Sequence, residues 1–195
     1  MNQADLAVVI PTIPIRTVEF RRAVESVRAQ TLQPHTLRVA TDLDRKGAAH
    51  TRQRALDAIN PEIGWVAFLD DDDELYPGHL LKLYHCAQDT GADYVYSWYD
   101  VIGGVDPLAS WFGVPWDNQR PHQTTITVLV RRDLAQQVGF LHPPDGDSID
   151  GQTWGEDYQF TLGCVQAGAK IVHLPERTWA WHHHGQNTSG RPDRW

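Results

Sequence analysis

Short apolar runs alternate with amphipathic stretches through the first half of the chain. Residues 6–10, LAVVI, are wholly apolar and stop at Pro11; residues 17–30 then bring Phe20, Val24 and Val27 to one face at helical spacing. The same succession repeats twice. TLRVAT (36–41) precedes GAAHTRQRALDAI (47–59), which is halted by Asn60-Pro61. WVAFL (65–69) precedes a helix entered at Pro77 and ended at Gly91, with Leu80, Tyr84 and Ala87 as its inner stripe. Three strand-helix units in series predict a parallel sheet with right-handed crossovers and helices on both faces.

The pattern is less regular beyond Gly91. DYVYSWYDV (93–101) and QTTITVLVR (123–131) read as strands, separated by a Gly, Pro and Trp-rich loop over 102–123. A short helix is predicted at 132–138 and a longer one at 156–167, where Phe160, Cys164 and Ala167 share a side. KIVHLPERTWAWHHHG closes the pattern as extended structure.

Parallel α/β sheets bind ligands at the carboxyl ends of their strands. Here those ends carry Pro11-Thr12, Asp42 and the run Asp70 to Asp73, so three polar clusters converge on one rim. Four aspartates directly after a buried strand repel one another, and a divalent cation shared with a phosphate-bearing ligand relieves that cost. A solvated acidic turn is the bland reading of the same run. Convergence with the other two strand ends favours a site.

Composition narrows the function class. The 195 residues, 41% hydrophobic and 22% charged, are enough for one domain with a sizeable core. Cys86 and Cys164 lie far apart within predicted helices, so no disulfide framework is expected and a reducing, cytoplasmic setting fits. No apolar run reaches the length of a membrane span. A net charge of -8 disfavours a nucleic acid acceptor, although Arg45, Lys46, Arg52 and Arg54 form a basic strip sized for one nucleotide.

The segments AVVIPTIPIR, TDLDRKGAAHTRQRAL, VAFLDDDDELYPGHL, WGEDYQF and HHHGQNTS stand in the order and at roughly the spacing found in family 2 glycosyltransferases, and the chain resembles that family over nearly its whole length. The resemblance implies a GT-A fold, a Rossmann-like α/β/α sandwich with a mostly parallel central sheet. It implies a single domain over 1–195, with a nucleotide-binding half (1–100) and an acceptor-binding and catalytic half (101–195). The activity implied is inverting transfer of a sugar from a nucleoside diphosphate donor, commonly UDP-linked, to a saccharide or other hydroxyl-bearing acceptor, with Mn²⁺ or Mg²⁺.

Carried over by position, Pro11 and Thr12 resemble the first-strand signature beside the nucleoside, and Asp42 the carboxylate that accepts hydrogen bonds from base or ribose; a capping role is the alternative for Asp42. Arg52 matches the arginine of the helix segment that follows, with Arg54 competing for its role. Asp70 and Asp72 take the ends of a DxD motif, Asp72 for the metal and Asp70 for the ribose or the metal's water shell. Asp71 is placed with the donor-binding carboxylates, though alternation on an extended backbone turns it away from its neighbours. Asp73 is the following carboxylate, and Glu74 is expected to be a solvated acid.

Glu156 and Asp157 fall in the family's ED motif, which makes Asp157 the general base and Glu156 its partner. Acidic residues also suit any first helical turn. Three adjacent histidines suggest metal binding by themselves; the resemblance selects His184, with His182 on the same face as the fallback. Asn187 and Ser189 belong to a closing segment. Trp111, Trp116 and Trp154 are candidate acceptor platforms or core residues. DGDSIDGQTWGE (145–156) is a poor calcium loop, because Ile149 occupies a ligand position. A nucleotidyltransferase and a non-catalytic nucleotide-sugar-binding module are the other classes. The first wants a glycine-rich loop after the first strand, and PTIPIR has none.

Overall fold

The computed structural model describes residues 4–140 and 155–183. Its strands are β1 (Ala4–Thr12), β2 (Pro34–Thr41), β3 (Trp65–Phe68), β4 (Glu74–Leu75), β5 (Tyr94–Ile102), β6 (Val128–Arg131) and β7 (Ile171–His182). Its α-helices are α1 (Thr17–Arg28), α2 (Gly47–Asp57), α3 (His79–Thr90), α4 (Arg132–Val138) and α5 (Glu156–Gln166). The strands form one sheet in the order β2-β1-β3-β6-β5-β7-β4.

The three leading strand-helix units build the parallel block β2-β1-β3. Leu6 to Ile10 of the inner strand β1 are fully buried, as a strand covered on both faces requires. The anticipated mostly parallel sheet is observed: β6 runs antiparallel to β3 and β5, β4 runs antiparallel to β7, and the other five strands share one direction. At the end of α3, Gly91 takes the left-handed conformation with φ of 65° and its N–H bonds to the Ala87 carbonyl, as a helix-terminating glycine does.

Two elements differ from expectation. The strand anticipated over 123–131 pairs only as Val128–Arg131, since its neighbour β5 engages it only through Tyr94, Tyr96 and the residue between. Residues 123–127 therefore carry side chains without ladder partners, and they reach the site described below. The pair Glu74–Leu75 forms a strand that no periodicity marks, and it holds the acidic run against Trp179 and Ala180 of β7. Strand β7 bulges after Leu174, where Pro175 cannot donate to the ladder. Among the described residues no helix is long and apolar enough to cross a membrane.

Where α3 meets the sheet, His79 is wholly buried, its Nδ1 2.7 Å from Thr178 Oγ1, which lies 2.6 Å from Ser97 Oγ. Burial pushes the imidazole down to about 3 from 6.5. Above pH 6.5 both folded and unfolded chains hold it neutral; below that value the unfolded chain binds a proton that the folded chain refuses. Stability therefore falls as pH drops from 6.5 towards 3, by about 1.4 kcal/mol per pH unit from this residue. Urea denaturation between pH 7.5 and 4.5 is expected to give a shallower pH slope for His79→Gln by roughly one proton; equal slopes would remove His79 from the acid response.

Candidate active site

The acidic run leaves β3 as a tight turn, so its four carboxylates do not alternate as on a strand. Asp71 is buried and turned to β1: it accepts from Thr12 Oγ1 at 2.7 Å and from Arg16 Nη1 at 2.6 Å, with the Ile13 N–H at 3.4 Å. It ties the loop after β1 to the loop after β3. Asp72 is also buried and lies 3.0 Å from Arg16 Nη1. Asp73 is buried and accepts the His182 N–H at 3.1 Å.

Asp70, Asp72 and Asp73 each offer an oxygen within 4.8 Å of the others. Burial, then Asp72 and Asp70, hold the Asp73 carboxyl well above the usual range. Like charges crowded in this way, with hard oxygen donors on one side, fit a hard divalent cation. Arg16 and Arg22 brace the cluster from outside, Arg22 through the Asp72 carbonyl.

Arg52 projects from α2 under the same rim. It is 1% exposed and its guanidinium spans three carboxylates: Nη2 is 2.6 Å from Asp70, and Nη1 is 3.4 Å from Glu156 and 3.5 Å from Asp157. The Phe140 ring lies under it at 5.1 Å. Burial works against the charge, but Asp70, Asp157 and Glu156 together raise its pKa above the ordinary arginine value. Arg54, the competitor in sequence, bonds the Thr41 carbonyl from the surface.

Glu156 and Asp157 open α5. Asp157 Oδ1 has no hydrogen bond among the described residues and lies 3.5 Å from the Arg52 guanidinium. Burial, followed by the neighbouring Glu156 charge, raises the Asp157 carboxyl well above the usual range, while Arg52 pulls it back. A carboxylate raised in this way is a stronger base than an ordinary aspartate, as a general base requires.

Asp70, Asp73 and Asp157 meet at one end of a cavity of about 410 Å³, within the size range of small-ligand sites. Tyr99, Trp179, Trp181 and His183 form one wall, Gln123 to Thr127 another, and Val105, Pro107 and Leu108 the lip. Asp106 pins that lip by accepting from Trp98 Nε1 at 2.7 Å, the Tyr99 hydroxyl at 2.9 Å and the Leu108 N–H at 2.9 Å. At the foot of the lip, Gly103 has φ of 86°, and a Cβ there would stand 2.7 Å from the His183 carbonyl oxygen, so only glycine lets the two segments approach. A second cavity of about 390 Å³ between α4 and α5 is lined by residues such as Gln137, Gln159 and Gln166 and contains no ionisable group.

The other anticipated residues fall in different places. Pro11 and Thr12 end β1 beside Ala40 and Thr41 of β2. Asp42 accepts the Lys46 and Gly47 N–H groups at 2.9 and 2.8 Å, which is the capping geometry. Trp111 stacks on buried His122 at 4.4 Å and Trp116 packs on the same ring at 4.8 Å; neither lines the cavity. His182 turns to Glu74, 3.5 Å away on β4, and Glu74 is a strand residue instead of a free acid. Trp154, His184, Asn187 and Ser189 lie outside the described residues, as does most of the 145–156 segment. Sequence reasoning passed over Arg16 and the set Trp179, Trp181 and His183. Strand alternation carried the second signal, since these three share the face opposite His182.

Residues 18–139 match the model of a family described as glycosyl transferase family 2. Among solved structures, the fold is similar to S. aureus TarS 1-349, with a TM-score of 0.74 at 16% identity over 91% of this chain and 60% of that one. It is similar also to that protein in complex with UDP (TM-score 0.73, 16% identity, 93% and 61% covered) and with UDP-GlcNAc (0.75, 15% identity, 92% and 58% covered). This chain thus spans about three fifths of the TarS 1-349 chain. No curated protein matches the sequence significantly.

Proposed function

This chain belongs to glycosyl transferase family 2, and we propose that it is a glycosyltransferase that moves a sugar from a nucleoside diphosphate donor, UDP-linked by preference, to an acceptor hydroxyl with inversion at the anomeric carbon. The observation that carries this reading is Arg52, whose one guanidinium touches both Asp70 of the acidic run and the Glu156-Asp157 pair. A donor-side carboxylate group and an acceptor-side base thereby face one cavity. The TarS complexes with UDP and UDP-GlcNAc support the donor class.

In this reading Asp70, Asp72 and Asp73 hold a divalent cation, Mg²⁺ or Mn²⁺, with His184 as the fourth candidate ligand. Bound there, the ion supplies Lewis-acid stabilisation of negative charge on the leaving diphosphate. The protein's own groups do the rest. The Pro11-Thr12 strand end and Asp42 border the nucleoside, and Asp71 with Arg16 fixes the loop between them. Asp157 accepts the acceptor hydroxyl proton as its oxygen attacks the anomeric carbon from the face opposite the diphosphate. That arrangement gives inversion in a single displacement. Glu156 and Arg52 orient the base. The whole of 1–195 acts as one GT-A domain, residues 1–100 holding the donor and 101–195 supplying base and acceptor site.

Calorimetric titration with UDP, GDP and dTDP, each with Mn²⁺ and with EDTA, tests the donor half of this assignment. UDP is expected to bind at least about tenfold more tightly with metal, ~1.4 kcal/mol, and Asp72→Asn to lose that gain. Absence of any nucleotide binding under all conditions would return the acidic run to a surface feature.

A further inference from the structure

The proposed transfer leaves the acceptor undefined, and the cavity's chemistry narrows it. Beyond the three carboxylates, the described residues that line the cavity include no lysine and no arginine. Arg52 lies beneath them, 1% exposed and already shared among three carboxylates. The wall facing β6 is neutral and hydrogen-bonding: Gln123 and Thr125 are reachable, and buried Thr127 keeps an Oγ1 with no partner among the described residues. The rest of the lining includes an aromatic group, with Trp181 and His183 partly exposed beside the buried residues Tyr99 and Trp179. At the lip, Val105 is 87% exposed, an apolar side chain left in water at the mouth of a polar site.

We infer that the acceptor is an uncharged saccharide, one ring face lying on Trp181 and its hydroxyls meeting Gln123 and Thr125; the inference rests on the transferase reading above. A pyranose has an apolar C–H face and a polar edge, and this cavity is lined by both aromatic rings and neutral hydrogen-bonding side chains. An anionic acceptor, such as a sugar phosphate or a uronic acid, meets the Asp157 carboxylate where, apart from the cation proposed for the donor, the described lining offers no lysine or arginine, and like charge is a means of exclusion. The rings are held in place: Trp181 packs edge-on to Tyr99 at 5.6 Å and to His183 at 5.6 Å, and Asp106 fixes the lip above them. The platform therefore exists before the acceptor arrives.

Saturation-transfer NMR on the full chain, with UDP and the diamagnetic Mg²⁺ present, tests this with named probes. Chitobiose, cellobiose and lactose stand for neutral saccharides; glucuronate, glucose 6-phosphate and glycerol 3-phosphate stand for anions. At least one neutral disaccharide is expected to receive saturation at its ring C–H protons. Trp181→Ala should reduce that signal at least fivefold, and Gln123→Lys should admit an anionic probe that the wild type rejects. UDP resonances in the same spectra report the donor site separately. Binding of UDP without any neutral saccharide, or equal response to anionic probes, overturns the inference alone. Saccharide binding without UDP sinks the transferase reading while leaving the saccharide site standing. A Trp181→Ala protein that retains both UDP and full saccharide signals also overturns the platform.

Discussion

Asp157→Asn is expected to lower kcat by about 10²–10⁴-fold, the usual contribution of a positioned general base, while leaving nucleotide binding intact. The substitution is nearly isosteric and removes only the ability to take a proton from the acceptor. Because burial and Glu156 raise the Asp157 carboxyl well above the usual range, the folded protein resists ionising this group. Its contribution to stability is lost as pH rises from the ordinary carboxylate value towards the folded one. The Asn variant should therefore melt no lower than wild type at neutral pH, so that activity and stability move in opposite directions. The rate profile gives the second readout. Activity requires the ionised carboxylate and rises with pH through its folded pKa; Glu156→Gln removes a neighbouring negative charge and should carry that limb to lower pH. A variant with wild-type turnover would end Asp157's candidacy and pass the role of base to another group.

Replacing Arg52 with Met is expected to have the largest effect on stability. One guanidinium, 1% exposed, holds Asp70, Glu156 and Asp157, and its removal leaves three carboxylates to repel one another. Breaking a buried ion pair costs about 3–5 kcal/mol. The carboxylates here keep some contact with water, which places the loss near ~3 kcal/mol, or about 6–12 °C in a domain of this size. Lysine should restore only part of it, since a point charge on a flexible stem does not reach three acids as a planar fork does. The same change carries the acid limb of the rate profile to higher pH, opposite to Glu156→Gln, because Arg52 is the group that lowers the Asp157 pKa. Differential scanning calorimetry with a pH–rate series separates the two effects; an Arg52→Met protein that melts like wild type and keeps its pH profile would show the bridge to be idle.

The parallel half of the fold was legible because each strand there is buried on both faces and each helix carries a stripe at 3.6-residue spacing. The positions of Asp70 and Asp72 followed from the rule that ligands gather at strand ends. Asp71 did not, because its direction is set by Thr12 and Arg16, more than fifty residues away in sequence. Alternation assumed an extended backbone where the chain makes a turn. Residues 123–127 kept a strand-like pattern, yet β5 is already committed elsewhere in that region, so the pattern serves the cavity instead of the ladder. The tryptophans illustrate a further limit: composition marks Trp111 and Trp181 equally, and only the tertiary stacking of Trp111 on His122 separates a packing ring from a cavity ring.

The bond from the His182 N–H to Asp73 joins residues 109 positions apart, and β4 pairs with β7 over a similarly long separation, Glu74 with Ala180 and Leu75 with Trp179. A ribosome releasing this chain makes the aspartates long before it makes the strand that anchors them. Until β7 docks, Asp73 lacks the His182 N–H and Glu74–Leu75 have no strand to pair with, while Arg16 and Arg52 already hold the other three carboxylates. Loop closure over such a distance is slow and entropically costly, so the acidic centre should be among the last parts of the sheet to mature. Truncation before β7 would yield a nascent chain with its parallel block in place and its chemistry unassembled.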